Sequence, residues 1–250
     1  MKTPDPDNEA KAAADLAAER WDAEYRGGRY ELDPPLEFVK DILRCAEATD
    51  LPPGRGLYIG CGNGRNYLPL VAGGLDLVGL DVSAVALEQL AERAPERAGD
   101  LRQGDLSALP PQAAFSIVVG IQVFQHGVRA EAHAHIAEAA RRLLPGGLFC
   151  LRVNAIGTEI QHRHRVLERD ADGGFTVEYL EGPKAGLPIH FFAEAELARL
   201  LGSLAPVLKL RLSATERTPP GAGSWLQWEG IWRRMGRPQL NLRPTPAPAA

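Results

Sequence analysis

Three glycines, Gly60, Gly62 and Gly64, stand within five positions in the stretch LYIGCGNGRNYLPL at residues 57–70. Glycine weakens strands and helices alike, so this repetition directly after an apolar run indicates main chain that must lie bare against a ligand. Asp81 ends the next apolar run, LDLVGLD, 17 residues after Gly64. A carboxylate there can accept hydrogen bonds from two ribose hydroxyls. The two features together predict a site for a nucleoside-bearing cofactor.

The glycine spacing distinguishes between two kinds of nucleoside cofactor. A dinucleotide fold favours G-x-G-x-x-G, whereas this chain has G-x-G-x-G followed by Arg65 and Asn66. Asp81 by itself does not separate the two, because both cofactors carry a ribose. The spacing therefore disfavours a dinucleotide, and an NAD(P)-dependent oxidoreductase stays as the alternative function.

Short apolar runs alternate with amphipathic helices over the middle of the chain. The pattern predicts strands at 57–60, 75–80, 115–120 and 148–153, with helices at 65–71, 84–94 and 129–144. Such alternation indicates βαβ units and a parallel sheet. Ligands bind beyond the carboxyl ends of such strands, which is where the glycines and the acid fall. Later, FFAEAELARLLGSL predicts a helix, and PVLKLRLSAT with SWLQWEGIWRR predicts an antiparallel edge pair.

Three regions are predicted along the chain. Residues 1–50 form an N-terminal helical segment, residues 51–236 form the α/β domain, and residues 237–250, rich in Pro and Ala, form a disordered tail. Within the domain, a polar insert at 155–190, with strand character near 175–180, leaves the sheet at its ligand edge, so we expect it near the substrate. The DPPL stretch that begins with Asp33 suits the N-cap and first turn of a helix.

Composition fits one ordinary globular domain and excludes several classes of protein. The 250 residues, 45% hydrophobic and 24% charged, can bury a full core without disulfides. A net charge of -4 argues against a protein that holds nucleic acid through phosphate contacts. The three scattered cysteines, with no Cys/His cluster at metal spacing, predict a reducing compartment and no metal site. No apolar leader or membrane-length run is visible, so we expect a cytoplasmic protein without a membrane partner.

Five motifs in succession resemble those of the class I S-adenosylmethionine-dependent methyltransferases. They are LYIGCGNGR, LVGLDVS, LRQGDLSALP, FSIVVGIQVFQH and ARRLLPGGLFCLRV, which match in order and spacing over about residues 55–155. The later helix and strand pair extend the match to about 235. This resemblance implies an α/β fold with a doubly wound, seven-stranded, mostly parallel Rossmann-like sheet and an antiparallel C-terminal hairpin. The stretch WDAEYRGGRYELDPP resembles small-molecule members of the tellurite-resistance and thiopurine type.

The resemblance implies S-adenosyl-L-methionine as the cofactor and assigns its contacts by position. Asp81 would hold the ribose hydroxyls, and Asp105 would accept a hydrogen bond from the adenine amino group. The chain departs from the family at Tyr58, where an acid commonly helps to hold the methionine amino group. A phenol is not a carboxylate at neutral pH. The implied cofactor-binding set is Gly60, Gly62, Gly64, Asp81, Val82, Asp105, Leu106, Gly120 and Ile121.

The implied activity is methyl transfer to oxygen, nitrogen or sulfur of a small molecule. The sulfonium already activates the methyl group, so the protein must mainly align the acceptor and exclude water. The sequence identifies no catalytic residue beyond His190, a candidate base or substrate contact at the expected rim of the pocket, whose alternative is a structural role. A non-catalytic cofactor-binding protein of the same fold stays as a further alternative.

Aromatic and histidine side chains outside the motifs have structural alternatives too. Trp21 and Tyr25, four apart on one helical face, either anchor the N-terminal helix or close over the cofactor. For His126, a packing role is favoured over catalysis. His133 and His135 are two apart on a helix and cannot share a face, which argues against a metal pair.

Overall fold

Helices and strands alternate through most of the chain. The computed structural model describes residues 6–217 and 223–236; the predicted tail at 237–250 lies outside the described residues. The helices are α1 (Pro6–Arg26), α2 (Phe38–Ala48), α3 (Tyr67–Ala72), α4 (Ala84–Arg93), α5 (Arg129–Arg141) and α6 (Glu194–Leu200). The strands are β1 (Gly56–Ile59), β2 (Leu77–Asp81), β3 (Leu101–Gln103), β4 (Phe115–Ile121), β5 (Leu143–Asn154), β6 (His164–Arg169), β7 (Phe175–Tyr179), β8 (Pro188–Phe191), β9 (Ala205–Glu216) and β10 (Ser224–Arg233).

Seven strands form one sheet in the order β3-β2-β1-β4-β5-β10-β9. The first five are parallel to their neighbours, and β10 runs antiparallel to both β5 and β9. The predicted doubly wound sheet with an antiparallel C-terminal hairpin is therefore confirmed. Strand order reverses between β1 and β4, so a crevice is expected beyond the carboxyl ends of these two strands.

The central strand β4 shows why the sheet needs helices on both faces. All seven of its residues are buried, as is typical of a parallel strand covered on both sides. Val118 packs in a core with Ile136 of α5 and Leu197 of α6. Its neighbour Val119 faces the opposite core, which α2, α3 and α4 supply. Alternate residues along one strand thus hold two helical layers together.

The polar insert folds into a small sheet of its own. Strands β6, β7 and β8 pair antiparallel in that order, around a core of Val177, Tyr179, Ile189 and Phe191. The strand character predicted near 175–180 is confirmed by β7. The other two strands were not predicted, because most of β6 is exposed and β8 is only four residues long.

The predicted N-cap at Asp33 is wrong, because α2 begins at Phe38 and has no side-chain cap. Asp33 and Pro34 each precede a proline, and that position disfavours helical backbone angles. Arg65 holds the segment instead: its Nε donates to the Pro34 carbonyl at 2.7 Å, and its Nη1 lies 3.6 Å from the Asp33 carboxylate. Residues 33–34 are therefore bound to Arg65, next to the glycine loop, and they do not start a helix.

Candidate functional site

A cavity of about 530 Å³ lies at the carboxyl ends of β1, β2 and β4. Its walls combine the loops that follow these strands with one face of α1 and with residues 186–188 of the insert. The structure brings most of the predicted cofactor-binding residues together here. Those lining the cavity are Gly60, Gly62, Asp81, Val82, Asp105, Leu106 and Ile121.

The glycine loop reaches the cavity with left-handed backbone. Gly60, Gly62 and Gly64 have φ of +70°, +55° and +92°, a region that side chains disfavour. At Gly62 an added Cβ would lie 2.3 Å from the Tyr25 hydroxyl oxygen. At Gly64 it would lie 2.5 Å from Leu90 of α4. Gly64 does not line the cavity, and its missing side chain lets Leu90 pack against the loop.

Gly120 is the other predicted cofactor contact that does not line the cavity. Like Gly64, it leaves space for a side chain of the core. A Cβ at this position would stand 2.1 Å from the ring of Phe124. The bare main chain of β4 therefore makes room for an aromatic side chain of the core. Its neighbour Ile121 lines the cavity instead.

Asp81 joins the glycine loop to the end of β2. Only 8% of the residue is exposed. One carboxylate oxygen accepts from the Gly62 N–H at 2.7 Å, and the other accepts from the Ser83 N–H at 2.9 Å. Burial raises the pKa of Asp81, although these N–H groups act in the opposite direction. The bonds fix the carboxylate at the cavity wall and leave lone pairs for a ligand.

Asp105 places a second acid at the cavity, beyond β3. Its Oδ1 accepts from the Ser107 N–H at 2.8 Å and from the Ser107 hydroxyl at 2.6 Å. Partial burial acts to raise its pKa, but the hydrogen bonds from Ser107 outweigh burial and lower it. Asp105 is thus an ionised acceptor at neutral pH, beside the buried side chain of Leu106.

Helix α1 covers the cavity and is hydrogen-bonded to α4. Asp22 Oδ1 accepts from the Ser83 hydroxyl at 2.6 Å and from the Val85 N–H at 3.2 Å. The Gln89 side-chain amide donates to the Tyr25 carbonyl at 3.1 Å. Trp21 and Tyr25 both line the cavity. These contacts anchor the helix, and its position over the cavity makes it the roof of the site.

His126 lines the same cavity and carries an unused ring nitrogen. Its Nε2 is buried and has no hydrogen-bond partner within the described part of the chain. The ring bonds to the Gln122 backbone, so Nδ1 is the nitrogen that donates. Its edge-on contact with Trp21, at 5.3 Å between centroids, completes the packing. Burial and the nearby charge of Lys184 lower the pKa of His126 to about 3, so the ring is neutral at physiological pH.

A pH dependence of stability follows from His126. The folded protein keeps this ring neutral down to about pH 3, whereas in the unfolded chain it protonates below about pH 6.5. The unfolded state therefore binds more protons between these values, and stability falls as pH falls. We expect wild type to lose up to about 2 kcal/mol more than His126→Asn between pH 6.5 and 5. Urea unfolding at both pH values measures this difference in stability. The control is His162→Asn, at an exposed position, which should lose as much stability as wild type. Equal losses in wild type and both variants would contradict the assignment to His126.

His190, predicted at the rim of the cavity, is placed elsewhere. It is 0% exposed, and it is not among the lining residues. Its Nδ1 lies 2.8 Å from the Thr176 hydroxyl, and its Nε2 lies 2.9 Å from a Glu196 carboxylate oxygen. Both ring nitrogens are occupied by buried partners, so the prediction of a rim position is wrong.

The two histidines of α5 diverge, as their spacing predicted. His135 lines the cavity, whereas His133 Nε2 lies 2.5 Å from Glu196 Oε1 in the interior beside α6. Tyr58, which stands where the family commonly has an acid, lines the cavity. Burial raises its pKa, so the phenol is neutral. It can offer an oxygen lone pair but no charge.

Comparisons with known proteins agree with this fold. Residues 57–147 match the family model described as a methyltransferase domain. Among solved structures, 1,6-didemethyltoxoflavin-N1-methyltransferase from Burkholderia thailandensis is 17% identical, with 94% of this chain and 93% of that chain covered and a TM-score of 0.59. Magnesium protoporphyrin IX methyltransferase from Synechocystis PCC 6803 is 16% identical, with coverage of 94% and 99% and a TM-score of 0.57.

A third solved structure, TehB from Haemophilus influenzae, is 17% identical, with 84% of this chain and 66% of that chain covered and a TM-score of 0.59. At these identities the likeness concerns the fold. A search of curated protein sequences finds no match. Across the described residues, no helix combines the length and the apolar character that crossing a bilayer requires.

Proposed function

We propose that this chain, which carries a methyltransferase domain at residues 57–147, transfers a methyl group from S-adenosyl-L-methionine to a small molecule. One observation carries the proposal. A bare glycine loop and two acids, Asp81 and Asp105, line a single cavity at the point where strand order reverses. That arrangement offers close main-chain approach, a ribose acceptor and an adenine acceptor at once.

The residues at the adenosine end fit the cofactor. A Cβ at Gly62 would meet the Tyr25 hydroxyl, so only a glycine allows the loop and α1 to enclose the cavity this closely. Asp81 would accept from the ribose hydroxyls and Asp105 from the adenine amino group. Val82 and Leu106 would supply apolar contact to the flat base.

The methionine end needs a different arrangement from the family's usual acid. Tyr58 offers a neutral phenol oxygen that can accept from an ammonium group. Arg65 also lines the cavity, its side chain is only 16% exposed, and its guanidinium lies 5.1 Å above the Tyr30 ring. We assign Arg65 to the methionine carboxylate, since it carries a positive charge directly beside the glycine loop.

The acceptor would occupy the part of the cavity beneath α1. Bound S-adenosyl-L-methionine supplies an electrophilic methyl group on sulfur, so no nucleophile from the protein is needed. The walls here are mostly apolar, and the helix above them excludes water and limits how the acceptor can lie. They are formed by Ala13, Leu16, Ala17, Trp21 and Leu187. We infer a small acceptor with a largely apolar body.

His126 is the polar group that we assign to the acceptor. Its Nε2 can accept a hydrogen bond from an O–H or N–H and so orient the nucleophile. A ring with a pKa of about 3 is too weak a base to remove a proton before methyl transfer. The His126 ring therefore suits an acceptor that loses its proton only after its bond to the methyl group has formed.

Two alternatives remain to be separated from this proposal. The family model at residues 57–147 favours methyl transfer over the hydride transfer of an NAD(P)-dependent oxidoreductase. A non-catalytic cofactor-binding protein would keep the same cavity. A cytoplasmic location and the absence of a nucleic-acid partner stay predictions.

Calorimetric titration of the full chain tests the cofactor. We expect S-adenosylmethionine and S-adenosylhomocysteine to bind in the micromolar range, about -8 kcal/mol, and NADH to give no heat. Release of S-adenosylhomocysteine across a panel of small alcohols, amines and thiols then tests turnover. Absence of heat with both adenosyl compounds would refute the proposal, whereas binding without turnover on any acceptor would favour the non-catalytic alternative.

A further inference from the structure

Three metal-binding side chains converge outside the cavity, on α5, β8 and α6. His133 Nε2 lies 2.5 Å and His190 Nε2 lies 2.9 Å from the same oxygen, Glu196 Oε1. All three ligand atoms lie within 4.8 Å of one another. His190 and Glu196 are buried, and the His133 side chain is 30% exposed. Imidazole nitrogen and carboxylate oxygen are ligands that Zn²⁺ takes in proteins.

The hydrogen bonds around His190 fix which of its nitrogens is free for a metal. The Thr176 hydroxyl lies 2.8 Å from His190 Nδ1 and 2.7 Å from Glu168 Oε1. A hydroxyl has one proton and an ionised carboxylate only accepts, so Thr176 donates to Glu168 and accepts from Nδ1–H. Partial burial acts to raise the pKa of Glu168, but its N–H and hydroxyl donors outweigh burial and lower it, which keeps it ionised.

With its Nδ1 proton donated to Thr176, His190 turns its other ring nitrogen, Nε2, towards Glu196 Oε1. A ring nitrogen and a carboxylate oxygen at 2.9 Å hold a cation between them, either a proton or a metal ion. The chain from carboxylate through hydroxyl to Nδ1–H is also the kind of outer hydrogen bonding that orients metal-bound histidines. For ligands at tetrahedral Zn²⁺, about 3.3 Å separates neighbouring donor atoms. The separation from Glu196 Oε1 must therefore grow by about 0.8 Å at His133 Nε2 and by about 0.4 Å at His190 Nε2. The partly exposed His133 side chain is the one that can supply the larger movement.

The local charge balance also favours a divalent cation. Glu196 and three acids of a neighbouring segment, together with two arginines that pair with two of those acids, sum to a net charge of -2 when both imidazoles are counted as neutral. The acids are Glu168, Asp170, Asp172 and Glu196, and the pairs are Arg129 with Asp170 at 3.5 Å and Arg199 with Asp172. Asp170 Oδ2 is buried, and its one partner among the described residues is the Arg129 guanidinium at 3.5 Å, a contact too long and poorly directed to count as a hydrogen bond.

We propose that His133 Nε2, His190 Nε2 and Glu196 Oε1 bind one divalent transition-metal ion, with Zn²⁺ the best match. A fourth position would remain for water on the partly exposed side of His133. The ion would join α5 and α6 to β8. Leu187, just before β8, and Pro188, its first residue, line the cavity. The site would thereby hold one wall of the cavity in place without taking part in methyl transfer. The expectation of no metal site rested on local spacing, which these three separated ligands do not show.

Metal titration of the untagged, chelator-treated full chain tests this site. We expect one equivalent of Zn²⁺ to bind by calorimetry and Co²⁺ to give the visible absorption of a tetrahedral complex. His133→Ala and Glu196→Gln should each weaken Zn²⁺ binding at least tenfold. Thr176→Val, which removes the group that orients His190, should weaken it by about 10- to 100-fold. His135→Ala is the matched control, because His135 is on the same helix but lines the cavity.

Two results would overturn the metal site. One is a wild-type chain that takes up neither Zn²⁺ nor Co²⁺ at tenfold excess, in which case protons alone occupy the cluster. The other is unchanged affinity and stoichiometry in both His133→Ala and Glu196→Gln. Thermal melts of each variant show whether it folds, and the wild-type Co²⁺ spectrum decides the question without any variant. None of these measurements uses the adenosyl cofactor, so failure here leaves the proposed methyl transfer unaffected.

Discussion

Replacing Asp81 with asparagine should weaken binding of S-adenosylhomocysteine by about 10- to 100-fold. Hydrogen bonds to a charged group contribute about 1.5–3 kcal/mol, and each 1.4 kcal/mol is a factor of ten in affinity. Asparagine keeps the size of the side chain but loses the charge. It also cannot accept at both ends from the Gly62 and Ser83 N–H groups, so the glycine loop loses one of its supports. Calorimetric titration measures the change.

The matched control for this substitution is Asp76→Asn, just before the other end of the same strand. Asp76 is 59% exposed in its side chain and pairs with Arg55 and Arg97, away from the cavity. We expect its affinity for S-adenosylhomocysteine to stay within twofold of wild type. Equal affinities for wild type and Asp81→Asn, with both proteins folded, would show that the ribose lies elsewhere.

Gly62→Ala should lower both stability and cofactor affinity, the latter by more than tenfold. A φ of +55° costs a side chain about 1–2 kcal/mol. The new Cβ would also stand 2.3 Å from the Tyr25 hydroxyl oxygen, so either the loop or α1 must move. Both form walls of the cavity. Urea unfolding and calorimetric titration measure the two losses separately.

Gly74→Ala separates the two causes of this loss. Gly74 has a φ of +96°, and a Cβ there would meet nothing within 4 Å. Gly74→Ala therefore has the backbone strain of Gly62→Ala without its steric clash. Tyr25→Phe in the Gly62→Ala background removes the nearest oxygen and should restore part of the affinity. If Gly62→Ala costs no more stability than Gly74→Ala and loses no affinity, then α1 does not press on the glycine loop.

The sheet and the glycine loop could be predicted because their signals are local. Buried parallel strands such as β4 are continuous apolar runs, and the glycines mark backbone that only glycine adopts readily. The insert was harder, since β6 shows no apolar run and is defined by its pairing with β7. The N-cap at Asp33 failed because the propensity for capping was outweighed by two successive prolines.

The histidines show what a sequence leaves out. The position of a histidine in the sequence does not show which group its ring nitrogens contact. Those contacts decide what the ring can do chemically. His126 became a candidate acceptor contact because Nε2 is buried without a partner. His190 ceased to be one because Thr176 and Glu196 occupy its two nitrogens. Contacts between residues more than 60 positions apart, such as His133 with Glu196, have no local pattern.

The hydrogen bonds that Asp22 accepts from the start of α4 would couple occupancy of the site to the position of α1. The Ser83 hydroxyl accepts from the Ala86 N–H while it donates to Asp22, so α1 completes the first turn of α4. A displacement of α1 wide enough to admit a solute leaves the Val85 N–H without its acceptor. A solute that also contacts Trp21 or Tyr25 of α1, which line the same cavity, would in turn favour the closed position. Binding of the solute and closure of α1 would then share one coupling free energy, so each would favour the other by the same amount.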